Sequence, residues 1–164
     1  MSNSLALPES IIVAVDDDAD DVDLLRLLLR KAGIDQPTQF YRDGEEVIAS
    51  LSKAMGDSFR AALRPLLCFL DVKMPAVTGH DVLRWIRSQS VLDSLPVVML
   101  SSSDHPEDIK QAAQHGAQCY LAKYPQPGIL REVVSEAERF IQGAPASECF
   151  RMPENLLLVR ARRV

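Results

Sequence analysis

No apolar run in this 164-residue chain approaches the about 20 residues that a membrane-spanning helix needs; the longest, 11–15 and 65–70, are far shorter. The opening MSNSLALPES lacks a positive leader followed by a long apolar core, so no secretory signal is expected and a cytoplasmic location follows by default. Positive charge is not in excess either. Lys and Arg number 18 against 23 Asp and Glu, a formal net charge of −5, which argues against nucleic acid or an anionic membrane as a partner of the general surface. Cysteine is scarce: Cys68, Cys119 and Cys149 are odd in number and far apart, which fits neither a disulfide framework nor the paired spacing of a zinc site. Cys68 and Cys119 lie inside apolar runs, where cysteine serves as a small buried hydrophobe. Internal repeats and low-complexity tracts are also lacking.

What is present is an ordinary globular balance, 47% hydrophobic and 25% charged, in a length that suits one domain with one good core. Short apolar, β-branched runs at 11–15, 66–70, 97–100 and Cys119–Ala122, with a weaker one at Thr38–Tyr41, read as strands. Between them apolar residues recur at helical spacing: Val22, Leu25, Leu28, Leu29 and Ala32, closed by Gly33; Val47, Ile48 and Leu51; Val82, Leu83 and Ile86. Ile109, Ala112 and Ala113 follow, then Leu130, Val133, Val134, Ala137, Phe140 and Ile141. Strands apolar on nearly every residue, alternating with helices, predict an α/β fold: a doubly wound (βα)5 parallel sheet with right-handed crossovers. Residues 11–142 hold this domain, after an N-terminal tail, 1–10, and before a C-terminal extension, 143–164. Residues 53–64 exceed what the second crossover requires and read as an insertion.

In such sheets ligands bind beyond the carboxyl ends of the strands. The residues there are Asp16, Asp17 and Asp18, then Asp71, Ser101 and Lys123. Gathered carboxylates repel one another, and a hard divalent cation with oxygen ligands removes that penalty, so Mg²⁺ is implied. A calcium loop is excluded, because the sixth position counted from Asp16 is Asp21, where glycine is needed. Asp18, Asp20, Asp21 and Asp23 also suit the start of a helix. Asp71 ends an apolar strand in FLDVKMP, where a carboxylate needs a cationic partner; the metal and Lys123 both qualify. A carboxylate attacks phosphorus without a general base, so these are the parts of a phosphoryl-transfer site. Ser101 offers a hydroxyl to a phosphoryl oxygen, although serine ahead of a helix is also a cap. His80, His105 and His115 are scattered and read as ordinary surface or helix residues.

The set IIVAVDDD, FLDVKMPAVTG, VVMLSSS and CYLAK, in that order, resembles the receiver domain of two-component response regulators, of the CheY-like kind. The resemblance implies a flavodoxin-like fold with strand order 2-1-3-4-5. It further implies Asp71 as phosphoacceptor, Asp17 as a direct Mg²⁺ ligand, Asp16 through water, and the Lys73 backbone carbonyl as another ligand. Ser101 resembles the switch hydroxyl, Tyr120 the aromatic that follows it inward, and Lys123 the cation paired with the phosphoaspartate. Pro75 and Gly79 match the turn after the phosphoacceptor, and Lys73 and Ser103 occupy positions that tune receivers. The family has proline directly after the lysine, often with a cis bond; here Tyr124 intervenes, leaving open whether Lys123–Tyr124 or Tyr124–Pro125 is cis. DDDADDVDLL and the long second crossover look most like single-domain receivers that accompany phytochrome-type histidine kinases, which implies a sensor histidine kinase, bacteriophytochrome included, as partner.

Phosphorylation would bias a face formed by the fourth helix, fifth strand and fifth helix. The residues after Gln142 are too few for a DNA-binding effector, so output is expected through another protein, with no activity beyond self-phosphorylation and dephosphorylation. In the extension an apolar run, 156–159, is flanked by Arg151, Arg160, Arg162 and Arg163; it suits an arm that packs on a second copy as a homodimer or an element folded onto its own domain, while a DNA-contacting arm is disfavoured by the negative total charge. A hydrolase is disfavoured by Lys73 two residues after the nucleophile, where a second acid is wanted. A scaffold that is never phosphorylated is the alternative, and it predicts loss of a core residue, yet Asp17, Asp71, Ser101 and Lys123 are all present.

Overall fold

The computed structural model describes residues 10–56, 64–145 and 148–150. Strands β1 (Ser10–Val15), β2 (Thr38–Tyr41), β3 (Arg64–Asp71), β4 (Val97–Ser101) and β5 (Cys119–Ala122) alternate with helices α1 (Ala19–Lys31), α2 (Gly44–Ala54), α3 (Gly79–Ser88), α4 (Pro106–Gln114) and α5 (Pro127–Ile141). The strands form one parallel sheet in the order β2-β1-β3-β4-β5, the flavodoxin-like arrangement expected.

Side chains on a strand alternate between faces, and here both faces are covered. Val13, Val15 and Leu70 pack with Val47 and Leu51 of α2 and Val82, Leu83 and Ile86 of α3. Ile12, Ala14 and Phe69 pack on the opposite face with Leu25 and Leu29 of α1 and Leu130, Val133 and Val134 of α5. This double coverage is why β1 from Ile11 and β3 from Leu66 carry no polar residue until their carboxyl ends, where Asp16 and Asp71 stand. Short polar residues then start the helices. Asp18 accepts the amides of Asp20 and Asp21 at 2.8 and 3.4 Å, Asp43 accepts that of Glu46, and Thr78 and Asp81 form a reciprocal capping box.

Two segments differ from what periodicity alone indicated. β3 begins at Arg64, two residues before its apolar run, because Arg64 pairs with Ser10 on β1; most of the insertion, 57–63, lies outside the described residues. After α5 the chain turns at Gly143 (φ 97°), and Cys149 and Phe150 are buried in the α1–α5 side of the core. The Phe150 amide donates to Glu136 Oε2 at 2.8 Å, so the packed unit continues past α5. The apolar run 156–159 and the arginines around it lie outside the described residues. Among the described residues, no helix is long and apolar enough to cross a membrane.

Candidate functional site

The strand ends converge. Asp16 and Asp17 follow β1 directly, Asp71 closes β3, Ser101 closes β4 and Lys123 follows β5. One carboxylate oxygen from each of Asp16, Asp17 and Asp71 falls within 4.8 Å of the other two, a donor set of hard oxygens that fits a hard divalent cation. The Lys123 ammonium meets three carboxylates: Asp16 Oδ2 at 2.8 Å, Asp21 Oδ2 at 2.7 Å and Asp71 Oδ1 at 3.1 Å.

Electrostatics follow from this crowding. Burial pushes the Asp71 carboxyl up to about 6; Lys123 opposes the rise and the Asp16 charge adds to it. Asp16 is raised for the same reason, burial outweighing its hydrogen bonds from Lys123 and the Asp18 amide. For Lys123, burial acts against the charged form, but the bonds to Asp16 and Asp21 and the charge of Asp71 outweigh it, and the ammonium is held above its ordinary range. The site is thus a buried cation among more numerous carboxylates, with negative charge to spare for a metal.

Ser101 is 1% exposed and sits one residue past Leu100, the register partner of Asp71. Its Oγ accepts the Ser103 amide at 3.1 Å, while the buried Tyr120 hydroxyl donates to the Ser103 carbonyl at 2.9 Å. Lys73 is exposed and lines a cavity of about 850 Å³ between α3 and α4, with Met74, Arg84 and Asp108; none of Asp16, Asp17, Asp71, Ser101 and Lys123 lines it. Gly79 brings the turn back against β3: its amide donates to the Val72 carbonyl at 3.1 Å, and a Cβ there would fall 2.1 Å from the Asp71 carbonyl oxygen. Of the two peptides in question, Lys123–Tyr124 is cis.

Two relationships escaped the sequence. Asp21, grouped with the helix-start acids, also binds Lys123, and the Tyr124 hydroxyl donates to its other oxygen. The sign was available: Asp21 lies one helical turn before the inward-facing Leu25, in line with Leu25 and Leu29. His80 is a residue of α3 and His115 closes α4, as helix residues were expected to be, but the two also meet edge to face with ring centroids 5.8 Å apart, and burial lowers the pKa of each. His105 is the cap of α4, its ring accepting the Glu107 amide.

The response regulator receiver domain pattern matches residues 12–135. The chain belongs to that family. It is 29% identical over 133 residues to the response regulator Rcp1 of Synechocystis, covering 81% of this chain and 89% of Rcp1. The Mn²⁺-bound structure of Rcp1 superposes with a TM-score of 0.61 at 29% identity, over 83% of this chain and 96% of that one. The phosphorylated cyanobacterial phytochrome response regulator RcpA gives 0.64 at 30% identity over 82% and 95% of the two chains. The bacteriophytochrome response regulator AtBRR gives 0.64 at 28% identity over 73% and 86%.

Proposed function

We propose that Asp71 accepts a phosphoryl group from a sensor histidine kinase of the phytochrome type, and that the modified protein signals by binding another protein. The observation that carries this is the meeting of Asp71 with Lys123 at 3.1 Å, beside Asp16 and Asp17. A carboxylate oxygen of Asp71 attacks phosphorus; the new O–P bond forms as the bond from phosphorus to the donor imidazole nitrogen breaks, the electron pair leaving on nitrogen. Lys123 keeps its protons and faces the growing charge on the phosphoryl oxygens. Asp16, Asp17 and Asp71, with the Lys73 carbonyl, would hold Mg²⁺, which when bound supplies further neutralisation of those oxygens.

Ser101 and Tyr120 are the switch pair in this reading, and the face of α4, β5 and α5 is the output. The protein acts on no substrate but itself, works in the cytoplasm, and pairs with a second copy through that face or through its C-terminal extension. The likeness to RcpA and AtBRR supports the choice of kinase. Incubation with acetyl phosphate and Mg²⁺, followed by intact mass measurement, tests the core claim. One phosphoryl group is expected on the parent protein and none on Asp71→Asn or in EDTA; a parent that never gains mass overturns it.

A further inference from the structure

We propose that Asp21 is a positioning residue for phosphoryl transfer, acting through Lys123; this rests on the function proposed above. An ammonium has three N–H donors, and Asp16, Asp21 and Asp71 take them at 2.8, 2.7 and 3.1 Å. Two of these carboxylates have other duties in the reaction. Asp71 forms the O–P bond while the bond from phosphorus to the leaving group breaks with its electron pair, and Asp16 belongs to the cluster of metal-ligating oxygens. Asp21 stands outside that cluster. It rides on the first turn of α1, where Asp18 accepts its amide, and its second oxygen receives the Tyr124 hydroxyl. One carboxylate therefore grips the side chains of two consecutive residues, Lys123 and Tyr124. It is the fixed point that keeps a flexible lysine stem aimed at Asp71 while the partners of the other two N–H groups change.

Misplacing a catalytic group by a fraction of its length slows the chemical step more than it weakens binding, so Asp21→Ala is expected to slow maximal phosphorylation by about tenfold. The donor is acetyl phosphate and the readout is intact mass. The half-saturating donor concentration and the Mg²⁺ affinity by calorimetry are expected to stay within about threefold of the parent, because Asp21 is not one of the clustered metal-ligating carboxylates. Asp21→Asn, which keeps an oxygen for Lys123, should stay within about threefold of the parent rate. Asp21→Ser keeps a residue suited to a helix start but is too short to reach the ammonium; it should match Asp21→Ala and replaces it if that variant does not fold. Parent-like maximal rates in Asp21→Ala and Asp21→Ser overturn the inference. So does a slowed rate that tracks weakened Mg²⁺ or donor binding. A parent that gains no mass overturns the proposed function itself, and the inference with it.

Discussion

The Asp71 carboxylate and the Lys123 ammonium, 52 positions apart in the chain by their numbers, meet at 3.1 Å with side chains only 6% and 8% exposed. An ion pair at that depth is not a device for stability, since desolvation cancels much of its attraction. Removing the cation is another matter. Lys123→Met leaves Asp16, Asp21 and Asp71 without their cation, and the metal-free variant is expected to lose about 3 kcal/mol of stability. Thermal melts should show part of that loss recovered by millimolar Mg²⁺, and by less in the parent. Equal melting of parent and variant in EDTA would show that the three contacts carry no net weight.

Asp71 itself costs stability. Its carboxyl is pushed up to about 6 by burial, so the folded protein binds that proton more tightly than the unfolded chain does. Stability contributed by the protonated form is present at low pH and declines as pH rises from about 4 to about 6, remaining lower above. Asp71→Asn has the same shape without the charge and should melt higher at neutral pH in EDTA, by about 2 kcal/mol. Denaturant melts at pH 5 and pH 8 check this; a variant no more stable than the parent at pH 8 contradicts it.

The turn that carries Asp71 into α3 closes only on glycine. A methyl group at Gly79 would collide with the Asp71 carbonyl oxygen at 2.1 Å, against backbone that has no rotamer to yield. Gly79→Ala is expected to lose about 2 kcal/mol or more and to slow phosphorylation, because relief of the clash displaces the nucleophile. Chemical denaturation and mass measurement report the two effects separately.

His80 and His115, where the start of α3 meets the end of α4, are expected to make stability fall in acid. Burial and, for His80, the neighbouring ring lower both pKa values, so the unfolded chain takes up protons that the folded one resists. Stability is complete above the ordinary histidine range, near 6.5, and falls as pH drops below it. His80→Gln should lose less stability than the parent between pH 7 and pH 5; identical slopes would mean the pair does not titrate with unfolding.

Much of this architecture was legible from residue order. Runs such as IIVAV and LLCFL have no polar member because each strand is covered on two faces, and that pattern needs no knowledge of which strand is neighbour to which. Asp16, Asp71, Ser101 and Lys123 were legible for the complementary reason: each is the polar residue at which such a run stops. Asp21 was harder because a second, sufficient explanation covered it, namely helix-start chemistry, which Asp18 and Asp20 satisfy. His80 and His115 could not be paired from sequence, since 35 positions by their numbering separate them and only the fold brings the start of α3 beside the end of α4. Phe150 belonged to no periodic stretch, and its burial depends on a reversal at Gly143 and a hydrogen bond to Glu136.

Ser103 has both of its peptide groups in use: its N–H rests on the Ser101 hydroxyl oxygen and its carbonyl receives the Tyr120 phenol. The two side chains expected to move on activation are thereby moored to a single residue of the segment ahead of α4. Neither can leave alone without stranding one end of the Ser103 peptide. In the proposed switch, a Ser101 hydroxyl turned toward Asp71 would leave the Ser103 amide without its acceptor. If the two act as the proposed switch pair, their coupling would need no wire through the core, because one shared rung of backbone holds both.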